Sequence, residues 1–418
     1  MRSKLWLTLL LLVCSIQAID RDTSLTIVYT QTMRYEPRAW VQGRERFPKG
    51  ASLQILSGGI KRALVPGLFA SADPEISFDA THVLFAGKRT AGEFWQVWEV
   101  ALAGGAARQI TNEKVNCVHP SYLPDGRVVY TAGSALEVVS LAGGVPARLS
   151  FTPQPVLSDQ VLQDGRILFE MAVAQRELFT VYPDGTGLES VRCDHGPDRG
   201  EARQLSSGDF VFTAGTHLAR FAPDSAVQTG LDQPQGEIAG PIGEAGPGDW
   251  IYSSRVRDGR FALYRKGVEI AAPAVQPAIV TPRVPPKCFP SALVATRSWG
   301  NLLCLDARIS KEPLPAGDIA QVRAFTLDGD RKPVLLGQAP VERDGSFYLQ
   351  LPADRPLRLE IADSTGRSIR AEHGWFLMRP AEQRVCVGCH AGPERSSENK
   401  VPEVLLRSTV PFNMLGAK

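Results

Sequence analysis

The sequence predicts an all-β chain in two parts, a six-bladed β-propeller over residues 24–281 and a small antiparallel β-sandwich over 291–380. A turn-then-strand unit recurs at a near-constant interval, and its copies carry a second strand that runs into a glycine-bearing turn. Beyond a proline-rich break the repeat gives way to short runs that alternate apolar with polar residues. These three observations carry the prediction.

Residues 1–18 are expected to be a secretory signal. Arg2 and Lys4 precede the apolar run Leu5–Val13, and Ser15 or Ala18 offers a small residue for cleavage. The run is shorter than a bilayer span. Cys14 lacks the small residue that a lipoprotein site carries before its cysteine, so it is assigned to the signal. Export places the mature chain in the periplasm or otherwise outside the cytoplasm, an oxidising compartment. Without Arg2 and Lys4 the chain holds 44 basic and 44 acidic residues. That balance argues against nucleic acid and against an anionic membrane surface as partners. No later apolar stretch approaches spanning length, so no membrane span is expected after signal removal.

The first unit of the propeller is Thr26-Ile27-Val28-Tyr29, followed by an insertion, Met33–Gly50. Four clear copies follow: Asp79-Ala80 before Val83-Leu84-Phe85, Asp125-Gly126 before Val128-Val129-Tyr130, Asp164-Gly165 before Ile167-Leu168-Phe169, and Ser207-Gly208 before Phe210-Val211-Phe212. Gly248-Asp249-Trp250-Ile251-Tyr252 is a looser fifth. The second turn residues lie 46, 39, 43 and 40 positions apart. Second strands run from Trp95 to Val100, Leu136 to Ser140 and Leu178 to Tyr182, each into a turn. Even spacing of β-branched and aromatic strands is the propeller pattern; an open sandwich with chance regularity is the alternative. Within the repeat His119 aligns with Asp73, Ser158 and Glu201, so all four are expected at the mouth of the central channel. Phe78–Phe85 and Tyr122–Tyr130 resemble the WD40-like repeats of the TolB-type periplasmic propellers. That resemblance implies a fold and no particular function.

Pro282, Pro285, Pro286 and Pro290 mark a linker over 282–290. Val322–Leu327, Phe347–Leu351 and Leu357–Ile361 then alternate, with Asp344-Gly345 and Asp363–Gly366 as turns. An immunoglobulin-like or transthyretin-like sandwich is expected, its last strand Gly374–Met378. Residues 381–418 are expected to form a separate segment whose tail, 391–418, runs along the surface.

Cys386-Val387-Gly388-Cys389-His390 is the strongest chemical signal in the chain. Two thiols at this spacing meet one edge of a porphyrin and add to its vinyl groups, and the adjacent histidine reaches the iron from the same side. One covalent c-type haem is therefore expected on Cys386 and Cys389, with His390 as the proximal iron ligand. A zinc site built on the two thiolates and His390, and a CxxC redox disulfide, are the competing readings. Met378 and His373, on the preceding strand, are candidates for the distal iron ligand; Met414 and an open sixth position are the others. Because 28 residues follow His390, no helical wrap of the small-cytochrome kind is expected. The haem is expected to lie against the β domain, the propeller or another subunit.

Leu336–Phe347, Leu351–Asp354, Trp375–Pro380 and Arg384–His390 are similar to the middle domain of the hydrazine synthase alpha subunit. With the propeller, the similarity covers nearly the whole mature chain and implies the same order, propeller and then a β domain with one haem. The family's further domain with a second haem is not expected, since no second CxxCH is present. In that family the motif histidine binds zinc with a cysteine and a tyrosine four residues on holds the iron. Here that position is Glu394, so His390 stays assigned to the iron. Cys304 or Cys288 is the zinc cysteine that the resemblance implies.

Cys117-Val118-His119 and Cys193-Asp194-His195 repeat a C-x-H arrangement. A shared zinc site and a Cys117–Cys193 disulfide are the functional readings; ordinary channel-mouth residues are the plain one. Cys288 and Cys304 are candidates for a disulfide or for buried thiols. The insertion Met33–Gly50 is expected to be a solvated loop, with partner docking or a guard over haem propionates (Arg34, Arg38 or Arg44) as the alternative. No nucleotide-binding or hydrolase motif is present. Three functions fit: electron transfer between the haem and an envelope redox partner with the propeller as docking platform, a haem enzyme acting with other subunits on a small nitrogen or oxygen compound, and a scaffold with a structural haem.

Overall fold

The computed structural model describes residues 25–191, 198–222, 227–231, 236–256, 258–310, 313–314, 317–372, 374–388 and 398–416. Among the described residues the helical elements are the helix Glu403–Arg407 and the 3-10 turn Ala39–Gln42; all other regular structure is β. No helix among them is long and apolar enough to cross a membrane.

Each repeat folds into a four-stranded antiparallel sheet. Ala70–Ile76, His82–Lys88, Gln96–Ala101 and Arg108–Gln109 form one in chain order. Sheets of the same order span 117–148, 156–190, 199–230 and 243–271. The sixth joins the two ends of this region: Val275–Ile279 pairs antiparallel with Thr26–Gln31, which continues to Ser52–Ser57 and Ile60–Ala63. The turn positions read from the sequence explain the spacing. Gly126, Gly165 and Gly208 sit at φ 80°, 85° and 92°, a backbone region open to glycine, and Ala80 adopts the same region at φ 56°.

The inner strands break register at one place each. Asp73, His119, Glu201 and Gln276 occupy left-handed backbone at φ 57°, 51°, 54° and 57°, at or beside the register shifts of their strands. These bulges swing polar side chains toward the axis, where they meet across sheets. Arg46 donates to both Asp73 carboxylate oxygens (3.0 and 2.5 Å) and to Nε2 of His119 (2.6 Å), and Gln276 donates to Asp73 at 2.7 Å.

Arg46 belongs to the insertion Met33–Gly50, so the expectation of a solvated loop is corrected. Tyr35, Ala39, Arg46 and Phe47 are buried, and Tyr35 donates to Glu201 at 2.7 Å. The insertion is a plug that closes one end of the channel. Arg34, Arg38 and Arg44 stay on its exposed side, paired with Glu36, Asp198 and Glu36.

The second unit has two facing sheets. One is ordered Gln383–Cys386, Trp299–Cys304, Phe347–Pro352, Phe412–Asn413; the other Pro333–Pro340, Gln321–Leu327, Arg358–Ala362, Ser368–Ala371. Leu302, Val322, Ala324, Leu349, Leu351 and Leu357 fill the space between them. Two details differ from expectation. The first sheet is mixed, because Gln383–Cys386 and Phe412–Asn413 run parallel to their neighbours. The chain after 380 is thus no separate segment: it supplies both edge strands of that sheet, and Met414 is buried in the core.

Gly374–Met378 is not a ladder strand either; its one β contact is a bridge between Phe376 and Leu357. It is the hinge pin between the two units. Met378 packs in the sandwich core, Leu377 inserts among Leu123, Val129 and Phe169 of the propeller, and Phe376 touches both clusters. Arg379 donates to the Asp184 carbonyl of the propeller (3.2 Å) and to Asp354 of the sandwich (2.7 Å).

Candidate functional site

Cys386 is the last residue of the edge strand Gln383–Cys386, in register with Cys304 on the parallel neighbour. Alternation along this strand turns Arg384 and Cys386 inward and Gln383 and Val385 outward. Both ends of the strand are held. Before it, the buried Glu382 accepts from Arg384 (2.7 Å), from the Arg379 backbone (2.7 Å) and from the propeller's Gly187 backbone (3.0 Å). After it, the Cys386 carbonyl accepts from the Leu305 backbone at 2.9 Å. Gly388 then passes so close to the 306–309 turn that a Cβ there would stand 2.5 Å from the Ile309 carbonyl oxygen.

At this edge the sandwich is open. A cleft of about 40 Å³ lies between Cys304, Phe347 and Cys386 on one sheet and Leu359, Ile361 and Arg370 on the other, with Glu372 and Gly388 at its margin. Burial pushes the Cys386 thiol up to about 11, with a smaller opposing pull from Arg384. Cys389, His390 and His373 lie outside the described residues, as do Cys193 and His195.

The described residues fit a covalently held macrocycle at one position. A cleft this small has room for a water molecule or two, so a macrocycle bonded to Cys386 would have to lie beyond the mouth of the cleft, on the side to which that thiol turns. Val385 (60% exposed) faces the other way, and Val387 (37%) is exposed just beyond the strand. Met378 and Met414 are core residues at 0% and 1% exposure. The Met378 methyl would contact a Cβ at Gly300 within 2.9 Å, which marks a packing role.

The remaining cysteine readings resolve differently. The Cys288–Cys304 disulfide is not formed: Cys288 is an exposed free thiol on the linker, while Cys304 is buried in the sandwich. Cys117 is buried between sheets, its thiol 3.5 Å from Glu113, whereas His119 faces the channel. The left-handed bulge at His119 breaks the alternation that would put both on one face and so separates the two side chains, and among the described residues no group of three or more His, Cys, Asp or Glu is placed to hold a metal. Of Cys304 and Cys288, the two cysteines that the resemblance set beside the motif, the structure brings Cys304 opposite Cys386 and leaves Cys288 on the linker.

Residues 314–391 match the family described as hydrazine synthase alpha subunit middle domain. Hydrazine synthase subunit alpha of Kuenenia stuttgartiensis is 27% identical over 139 aligned residues, covering 23% of this chain and 17% of that protein's length. The solved Kuenenia stuttgartiensis hydrazine synthase superposes with a TM-score of 0.78 at 18% identity, over 92% of this chain and 71% of that one. TolB from Acinetobacter baumannii matches over 64% of this chain and 68% of its own, at 16% identity and a TM-score of 0.48. By sequence in its middle domain and by fold along most of its length, the chain is hydrazine synthase alpha subunit-like.

Proposed function

We propose that this chain is an exported subunit with one c-type haem at the open edge of its sandwich, and that it works with other subunits on a small nitrogen compound, as a hydrazine synthase-like component. The observation that carries the reading is the position of Cys386, at the end of an edge strand beside the cleft and inside the segment similar to the hydrazine synthase alpha middle domain. Cys386 and Cys389 would hold the haem and His390 its iron; the group would supply one-electron chemistry at a metal centre. The chain's own residues give the site rigidity. Glu382 and Arg379 tie the strand to the propeller, and Gly388 sets the motif against the 306–309 turn.

Electron transfer to an envelope redox partner is the second reading. Exposed Val385 and Val387, adjacent to Cys386 in the chain and on the outward side, favour it, since they leave apolar surface open to a docking protein.

One set of measurements separates the outcomes. The full chain is expressed with c-type haem maturation, and the pyridine haemochrome spectrum and intact mass are recorded. One haem, lost in the Cys386→Ala/Cys389→Ala double variant, is expected. A colourless protein, with zinc on the motif or with none, sinks both haem readings. Binding of carbon monoxide or nitric oxide to the ferrous protein supports the enzyme; a six-coordinate low-spin iron that takes neither supports electron transfer.

A further inference from the structure

The propeller channel, closed at one end by the Met33–Gly50 plug, is a blind well of about 680 Å³ that opens beside residues 281–286. That volume suits a small organic ligand. Its walls are unusual in what they offer. Pro74, Pro120, Pro241, Pro247, Pro277 and Pro286 bring no N–H to the lining, and Gln163, Gln204, Gln276 and Ser206 already donate to the Leu205 carbonyl, the Gly208 carbonyl, Asp73 and Glu244.

Asp159 stands apart. It lines the well and is 4% exposed. Its two oxygens are buried acceptors that meet no donor group, and the side chain in hydrogen-bond reach is a second carboxyl, Glu170. The charged groups around it are already engaged with one another. Glu170 binds Arg176 (3.2 Å) and the Glu201 backbone (2.6 Å); Glu201 accepts from Tyr35; Arg203 donates through Nη1 to the backbone carbonyls of Asp159 and Ala202. Arg283, the other cation of the lining, is held by Glu75 and the Ile76 carbonyl. Among the described residues no set of His, Cys, Asp and Glu is placed for a metal ion.

We infer that the well binds a small organic cation, a protonated amine whose N–H groups pair with the Asp159 carboxylate while its carbon chain lies along the prolines. An amine brings free donors to a lining whose own are largely engaged, and the charge that a buried carboxylate needs. In the empty well burial and Glu170 push the Asp159 carboxyl up, so amine binding displaces a proton to solvent. This site lies in the propeller and does not rest on the haem.

The test is calorimetric titration of the full haem-loaded chain with n-butylammonium, n-butanol, butyrate and potassium, in buffers of different ionisation enthalpy. Saturable binding of the ammonium alone, with proton release, is expected. Asp159→Asn, close in shape, is expected to weaken it at least tenfold with the thermal midpoint held or raised. Gln163→Trp, at the exposed rim, is expected to weaken it as well. No saturable binding, equal binding of n-butanol, butyrate or potassium, or indifference of the affinity to both variants overturns the inference. A colourless chain that still binds the amine sinks only the haem reading; a haem-loaded chain that does not bind it sinks only this one.

Discussion

Cys304 and Cys386 stand opposite each other on parallel neighbouring strands, both turned toward the interior of the sandwich. One thiol of the CxxCH motif is therefore packed against the core in the folded protein. Burial at this edge costs the thiolate its hydration, so under the proposed haem reading attachment would be easiest before the sandwich closes.

Thiol reactivity checks this. In haem-free protein at pH 8, iodoacetamide is expected to modify exposed Cys288 first. Cys386, raised from 9.0 to about 11, should react about 100-fold more slowly than an unperturbed thiol, since its thiolate fraction falls tenfold per unit. Peptide mass mapping over time reads the order, and equal rates at Cys386 and Cys288 would contradict the packing.

Gly388 is the second contact that fixes the motif. Gly388→Val places its side chain into the Ile309 carbonyl and the Asp306 carbonyl, 2.5 and 3.0 Å from the new Cβ. The motif must lift off the 306–309 turn. We expect at least a halving of haem loading by pyridine haemochrome and a loss of about 1–3 kcal/mol in urea unfolding, the usual cost of overpacking.

Arg46 and Asp73 form the buried pair under the plug, with side chains 5% and 2% exposed. Arg46→Met leaves the Asp73 carboxylate buried without its cation, at a cost of about 3–5 kcal/mol. Asp73→Asn added to Arg46→Met removes the stranded charge and should recover much of that loss. Urea midpoints of the two variants test the order; an Arg46→Met protein as stable as the parent would show that this pair does not hold the plug in place.

His119 predicts the acid limb of stability. Burial dominates its surroundings and lowers it from 6.5 to about 3, although Asp73 pulls the other way. The folded state thus keeps the neutral ring, which accepts from Arg46, and the 3.3 Å approach to Asp73 is no ion pair at neutral pH. A depressed value means stability that is complete above about pH 6.5 and falls as pH drops toward 3, with a slope of up to about 1.4 kcal/mol per pH unit. Asp73, also depressed, adds its own loss only below about pH 4. His119→Gln should flatten the urea midpoint between pH 4 and 6.5; an unchanged slope there would assign the loss to other groups.

What the sequence determined is local and periodic. Turn glycines with β-branched and aromatic strands between them carry their own geometry, so the all-β architecture was legible from spacing, and the alignment of His119 with Asp73 and Glu201 marked positions that share one left-handed bulge. The CxxCH motif was legible because its chemistry needs only five consecutive residues.

Tertiary structure decided what depends on distant partners. The polar insertion Met33–Gly50 reads as a loop until Arg46 finds Asp73 and His119 on two other strands, which makes burial of its charge affordable. Phe412–Asn413 has no pattern of its own and becomes a strand because Phe347–Pro352 offers it an open edge. Met378 and Leu377 are adjacent and equally apolar, yet they enter different cores, because an extended segment points successive side chains to opposite sides.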